Sequence, residues 1–251
     1  MSDHKGEAVL FSEMTPPDGA EKHFNDWYNS HHMPSHVYGV PGFRSGQRYK
    51  DKSKAEYLAI YELESPETLQ DKEYINRKYT PDAPTKKMLS EVIGFTRYIS
   101  KEISFQLSKN VDIDYALDAP SVCAVFIALP EKATQEFLRW YEKENTPALL
   151  ASEQWRMVRN FEVVNADPNP FTHMFLHYVE SDLGLESKEK QKTSLRDWTK
   201  RFAVNDRFET LTVHYGRIGK RYHKAEPDAA NFTLLVDTFE GEKKNGDRTV
   251  K

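Results

Sequence analysis

Apolar positions along this chain switch repeatedly between a period of two and a period of three to four. Ala8-Val9-Leu10-Phe11 is a short apolar run that reads as a strand, ended by the loop Pro16-Pro17-Asp18-Gly19. Over 20–32 the period lengthens: Phe24, Trp27, Tyr28 and His31 recur at i, i+3, i+4 and i+7, which places them on one face of a helix. Pro34 is expected to end that helix, because its ring cannot accept the preceding turn. Val40-Pro41-Gly42 turns the chain into a strand over 43–49, and a second strand follows over 57–64. Ser65-Pro66-Glu67 caps a helix over 68–79, Pro81 and Pro84 set off a further helical stretch at 85–92, and 95–105 reads as a strand.

The pattern then starts again. Strands are expected at 122–129, 155–164, 173–180 and 208–218, with helices at 134–145 and 188–201. The residues repeat as well as the periods. Trp27-Tyr28-Asn29-Ser30-His31-His32-Met33-Pro34 returns as Trp140-Tyr141-Glu142-Lys143-Glu144-Asn145-Thr146-Pro147 at a constant step (140 − 27 = 147 − 34 = 113). Phe43-Arg44 matches Trp155-Arg156 one residue short of that step, the block from Leu58 matches the block from Met174 (174 − 58 = 116), and Arg97-Tyr98 lies over His214-Tyr215. Small loop insertions account for the drift. Positions kept in both halves then serve the fold first, and positions that differ are where chemistry is sought.

Each half reads as βαββαβ, the split-βαβ or ferredoxin-like pattern, so the fold class is α+β with tandem ferredoxin-like repeats packed sheet to sheet. One such unit leaves an apolar sheet face uncovered, and a second copy covers it, with an enclosed space expected between the sheets. The expected divisions are a first domain at 1–108, an acidic linker at 109–120, a second domain at 121–222, and an extension at 223–251 with an extra strand near 231–239 and a frayed charged tail.

Composition narrows the partners. A formal net charge of −4 gives no basis for a nucleic-acid or anionic-membrane partner, and no apolar run is long enough to span a bilayer. The polar start lacks the apolar core of a signal peptide, so the cytoplasm is the expected compartment. The single cysteine, Cys123, sits among apolar residues and reads as an inert buried thiol. The low hydrophobic share of 38% is offset by 12% aromatics, which bury large areas each.

The segment Phe24-Asn25-Asp26-Trp27-Tyr28, then His32-Met33-Pro34, Val40-Pro41-Gly42-Phe43 and Arg48-Tyr49, resembles the dimeric α/β-barrel superfamily and, within it, the EthD-like branch. The second half keeps the Trp-Tyr pair and the proline but loses the His-x-Pro histidine and the Pro-Gly-Phe turn. The resemblance implies that two domains of a usual homodimer are fused here into an intrachain α/β-barrel pseudo-dimer; a homodimer of such pseudo-dimers is compatible with it. The superfamily includes isomerases, polyketide cyclases, hydroxynitrile lyases, cofactor-free monooxygenases and, in tandem relatives, haem enzymes.

His32 is the leading candidate for chemistry. It occupies the place of the family's histidine, and its repeat partner, Asn145, cannot titrate. Histidine suits proton transfer near neutral pH, although a histidine at a helix C-terminus can also simply bond the last carbonyls. Tyr28, one turn earlier, and His36, in the following loop, are the expected assistants. Tyr49, Tyr57 and Tyr61 are expected to line the inter-sheet space as an aromatic wall that binds substrate, though the same parity suits a plain core, and Trp27, shared with Trp140, is expected to serve the fold first and to contact substrate beside them. His31 is expected to pack on the aromatic face. A metal held by His31, His32 and His36 finds no acidic or cysteine ligand at a familiar spacing, so no metal is assigned. His173 and His177 are strand residues about 13 Å apart at strand rise, too far to share one ion. Tandem haem relatives would draw on His173, His177 or His214, but no motif supports that choice.

The expected function is therefore a cofactor-independent enzyme doing histidine acid–base chemistry on a small, apolar, aromatic metabolite, as a lyase, dehydratase, isomerase or cyclase. The alternatives are a non-catalytic binding protein for such a metabolite, or a cofactor-free or haem oxygenase.

Overall fold

A computed structural model describes residues 3–181 and 209–226. The first half supplies strands β1 (Ala8–Thr15), β2 (Phe43–Asp51), β3 (Tyr57–Leu63) and β4 (Ile93–Leu107); the second supplies β5 (Ser121–Ile127), β6 (Trp155–Asp167), β7 (His173–Val179) and β8 (Thr210–His223). All pair antiparallel and close into one barrel in the order β1-β3-β2-β8-β5-β7-β6-β4. Each half is thus a four-stranded sheet with the same internal order, β4-β1-β3-β2 and β8-β5-β7-β6. The sheets join at β2–β8 and at β4–β6, so the last strand of each half pairs with the second strand of the other. Among the described residues the closed barrel leaves no strand edge unpaired, which removes the usual risk of edge-to-edge association for these strands.

Alternation along each strand sends one set of side chains inward and the other out toward the helices. The inward set draws on both halves: Phe11, Tyr98, Phe126 and Phe171 form an aromatic cluster with ring centroids 4.8 to 6.3 Å apart. Eight strands leave an interior just wide enough for side chains to fill. The expected chamber between the sheets is therefore a packed core, flanked by polar groups. Arg159 on β6 binds Glu62 on β3 at 2.5 Å and Glu102 on β4 at 2.6 Å, which ties the two halves together through the interior. Tyr215 on β8 donates to Glu13 on β1 at 2.5 Å, a second tie between the halves.

Outside the barrel, each sheet carries its own layer of helices. The first half has α1 (Glu21–Trp27), a wide π turn (Tyr28–His32), α2 (Met33–Gly39), α3 (Lys72–Tyr79) and α4 (Ala83–Glu91). The linker contains a short helix, α5 (Ile113–Leu117), capped by Asp112, which accepts from the Tyr115 amide. The second half has α6 (Glu131–Trp140), a π turn (Tyr141–Asn145) and α7 (Thr146–Leu150). The helix expected at 188–201 and the extra strand and tail at 231–251 lie outside the described residues.

Pro34 does not end the helix. The π turn precedes it, with the Met33 amide reaching back five residues to the Tyr28 carbonyl, and Pro34 sits in the first turn of α2, where a missing N–H costs least. The Asn29 carbonyl, five residues before the proline, accepts instead from the Tyr222 hydroxyl at 2.8 Å. The second half repeats the device: the Thr146 amide donates to the Tyr141 carbonyl, and the Glu142 carbonyl, five before Pro147, accepts from Gln106 Nε2 at 2.8 Å. In both cases the satisfying side chain comes from the other half.

Candidate functional site

The π turn decides which histidine faces inward. A regular helix would carry the Phe24, Trp27, Tyr28 face on to His31; the extra residue of the wide turn carries it to His32 instead. His32 stacks on Trp27 with ring centroids 4.4 Å apart and meets the Tyr28 ring edge-on at 4.9 Å. His31 turns the other way, and its Nε2 lies 2.7 Å from Asp82 at the N-terminus of α4. Burial alone would raise the Asp82 carboxyl, but hydrogen bonds from His31 and from the Thr85 amide hold it well below the usual carboxylate range. Trp27 Nε1 also points to Thr85 Oγ1, at 3.4 Å, so α4 is tied to the helix that carries His32. Wide π turns recur at functional sites because they re-aim one side chain without ending a helix.

His36, on α2, lies one turn beyond His32, its ring edge-on at 4.6 Å. Its Nδ1 is 2.9 Å from the His32 carbonyl, which can only accept, so Nδ1 carries the proton and Nε2 keeps its lone pair. Burial pushes the His36 imidazole down to about 4; the bond to the His32 carbonyl opposes this, and the Arg77 charge adds to it. Burial likewise holds His32 well below its ordinary value, with His36 and His31 contributing. Both shifts favour the neutral form of the ring near pH 7.

These groups line a cavity of about 490 Å³ between the helices and the outer face of the first sheet. The sheet supplies Leu10, Ser12 and Met14 from β1, with Phe95 and Arg97 opposite them on β4. Across the seam, β6 adds Asn165 and Asp167, the strand partners of Ile99 and Arg97. The helix side supplies Tyr28, His32, His36, Tyr74, Arg77 and Thr85. Tyr61, on β3, places its buried phenol beside that of Tyr28 without a well-formed hydrogen bond; burial, with Tyr28 adding, pushes it well above the usual phenol range. Tyr28 itself is raised by burial and rides over the Arg48 guanidinium, 4.3 Å from its ring, which Asn25 and Asn29 fix by hydrogen bonds of 2.8 Å.

The sequence-expected residues separate accordingly. His32, His36, Tyr28 and Tyr61 converge on the cavity, and Trp27 backs His32. Tyr49 does not join them: it is paired with Leu58, shares that residue's inward face, and is part of the barrel core. Tyr57 lies on the helix-covered face, but its hydroxyl bonds Glu21 and its ring is not in the cavity wall. Tyr49 therefore faces the barrel core while Tyr57 and Tyr61 face the helices, so the three do not form one aromatic wall between the sheets. Sequence reading missed Tyr74, Arg77, Arg97, Asn165 and Asp167. Alternation on β4, with Tyr98 inward, would have put Arg97 on the helix side; nothing in the sequence brings β6 alongside.

The second half builds its equivalent differently. Asn145 stands at the place of His32, Leu149 at that of His36 (149 − 36 = 113), and His177 at that of Tyr61 (177 − 61 = 116). There Tyr141 and His177 Nε2 form a buried hydrogen bond of 2.6 Å, and Cys123 is buried nearby in the same layer. His173 Nδ1 lies 2.9 Å from Thr172 Oγ1. Among the described residues, no group of three or more His, Cys, Asp or Glu side chains gathers in a way that could hold a metal ion, and no helix is long and apolar enough to cross a membrane.

The chain has the fold of an α/β-barrel pseudo-dimer, a closed eight-stranded antiparallel barrel with both sheets supplied by one polypeptide, and solved structures share this fold. Among solved structures it is similar to an anthrone oxidase-like protein (TM-score 0.65, 12% identity, covering 90% of this chain and 97% of that one). It is also similar to candidate monooxygenases from Fusobacterium nucleatum subsp. nucleatum (TM-score 0.58, 9% identity, 87% and 95% covered) and Lactobacillus acidophilus (TM-score 0.54, 7% identity, 87% and 97% covered). No family model matches the chain, and no curated protein matches it in sequence.

Proposed function

We propose that the cavity beside His32 is the substrate site of an enzyme that transfers a proton to or from a small aromatic metabolite without a cofactor. The observation that carries this reading is the placement of two imidazoles whose burial favours the neutral form, His32 and His36, beside the Tyr28, Tyr61 and Tyr74 rings in a cavity wall that also carries apolar and charged side chains. Where a bound substrate displaces water from such a site, a polar contact to a developing charge is stronger than in solution. His32 removes or returns the proton. His36, whose Nε2 lone pair is not used in the bond that Nδ1 makes, is a second acceptor for the proton. The Tyr28 and Tyr61 phenols, protonated at every physiological pH, donate to a substrate oxygen. Acid–base lyase, dehydratase, isomerase and cyclase reactions share such a proton transfer.

A second reading is favoured by the kind of protein this fold resembles, an anthrone oxidase-like protein among them. The same proton removal would produce an electron-rich carbanion that reacts with dioxygen. One experiment addresses both. The protein is incubated with a panel of aromatic metabolites while product masses and oxygen consumption are followed. Loss of water or isomerisation without oxygen uptake supports the first reading, and oxygen uptake matched to product supports the second. In either case His32→Ala is expected to lower turnover by about 100-fold or more. Turnover at the unaltered rate in that variant removes both, and tight binding without turnover points to a carrier.

A further inference from the structure

We propose that the ligand of this cavity is an aromatic carboxylate, its charged group held by Arg77 and Arg97 and its ring lying against Tyr61, Leu10 and Phe95. This rests on the cavity being the substrate site, and on neither of the reactions considered for it. The cationic groups in its wall are Arg77, Lys78 and Arg97, and the one carboxylate there is Asp167. With the imidazoles neutral, the wall carries a formal excess of positive charge.

The two guanidiniums flank one residue. Arg77 follows Tyr74 by three positions on α3 and so lies on the same helix face. Arg97, from β4, donates to the Tyr74 hydroxyl at 2.9 Å. The Tyr74 ring in turn packs 6.0 Å from His36. Among the described residues neither Arg77 nor Arg97 forms an ion pair with a carboxylate, and Arg77 Nε is buried without a hydrogen-bond partner. Gly39 provides the room: a Cβ there would stand 2.4 Å from the Arg77 guanidinium. A buried cationic donor left unmatched is costly, and a planar carboxylate matches it in two parallel hydrogen bonds. The walls suit the rest of such a molecule. Leu89 and Phe95 are 38% and 45% exposed, leaving apolar surface for a ring to cover. The anion would also bear on the chemistry, because a negative charge beside His36 favours its protonated form and makes it a stronger base.

The test compares 2-naphthoate with its neutral isostere 2-naphthamide by titration calorimetry on the full chain at low salt. The expected result is about tenfold tighter binding of the naphthoate, a preference that weakens as salt rises. Arg77→Gln and Arg97→Gln each lower naphthoate affinity by about fivefold or more, and the double variant binds both probes alike. Naphthamide affinity within about twofold of the unaltered protein shows that the variants keep the cavity. Equal binding of the two probes, binding of neither, or a preference that survives the double substitution overturns the proposal. His32→Gln is expected to retain the preference. A lost preference with turnover still dependent on His32 removes this inference alone, and a retained preference with turnover independent of His32 removes the proton-transfer reading alone.

Discussion

His36 shows how one side chain couples the site to the stability of the whole. In the unfolded chain its imidazole titrates near 6.5, and in the folded protein burial brings it down to about 4. Between those values the unfolded state binds more protons, so folding stability is greatest above the unfolded value, falls as the pH drops through this window, and changes no further from this source below about 4. A shift of this size corresponds to at most about 3 kcal/mol, less for a ring that is only half-buried. The repeat supplies the control substitution, because Leu149 stands at the same place in the second half. His36→Leu is therefore expected to fold and to melt less readily relative to the unaltered protein at pH 4.5 than at pH 7, as read by thermal denaturation at both. Parallel acid profiles would show that His36 is not the group responsible. At this scale the sequence was informative in part. The contrast between His32 and Asn145 singled out one of the two imidazoles that line the cavity, whereas the charged residues around it are ordinary surface arginines until the fold gathers them.

Among the elements, the strands and their repetition were legible because alternation and register are local properties. The π turn was not. A period of 3.6 predicts the inward face only while each turn has the same width, and the widened turn at Tyr28–His32 moves that face from His31 to His32. Pro34 misled for the same reason: a proline that would end a regular helix is accommodated where the wide turn has already broken the hydrogen-bond sequence. Tyr49 misled differently. Residue parity does not carry across a hairpin, and the register of β2 with β3 sets Tyr49 opposite Leu58, so it faces away from Tyr57 and Tyr61. The π turn also makes a prediction. The Asn29 carbonyl depends on the Tyr222 hydroxyl, which reaches it from the other half. Tyr222→Phe keeps the ring and removes the donor, and leaving that part-buried carbonyl unmet is expected to cost about 1–3 kcal/mol in urea unfolding. An unchanged unfolding midpoint would mean that water replaces the hydroxyl without loss.

For the molecule as a whole, the two halves make one barrel, and its β4–β6 seam borders the cavity proposed as the substrate site. Asn165 and Asp167 come to the cavity of the first half from β6, so that site is completed by the second half even though its own equivalent has lost the histidine. What holds the halves in register is therefore expected to matter to both stability and chemistry. Arg159, with no exposed side-chain surface, is bound by Glu62 and Glu102 of the other half. Burying three charges is expensive, and the arrangement holds only while each has its partner. Arg159→Met leaves Glu62 inside without its cation, and the expected cost is about 3–5 kcal/mol. For a chain of this size that lowers the melting temperature by about 6–20 °C. Adding Glu62→Leu to Arg159→Met removes the stranded charge and is expected to recover part of the loss, even though one more polar contact has gone. Calorimetric melting of the two single variants and the double one decides the matter. Stabilities that simply add would mean the two charges do not act as a pair, and the tie across the interior would then contribute shape to the barrel without setting how its halves meet.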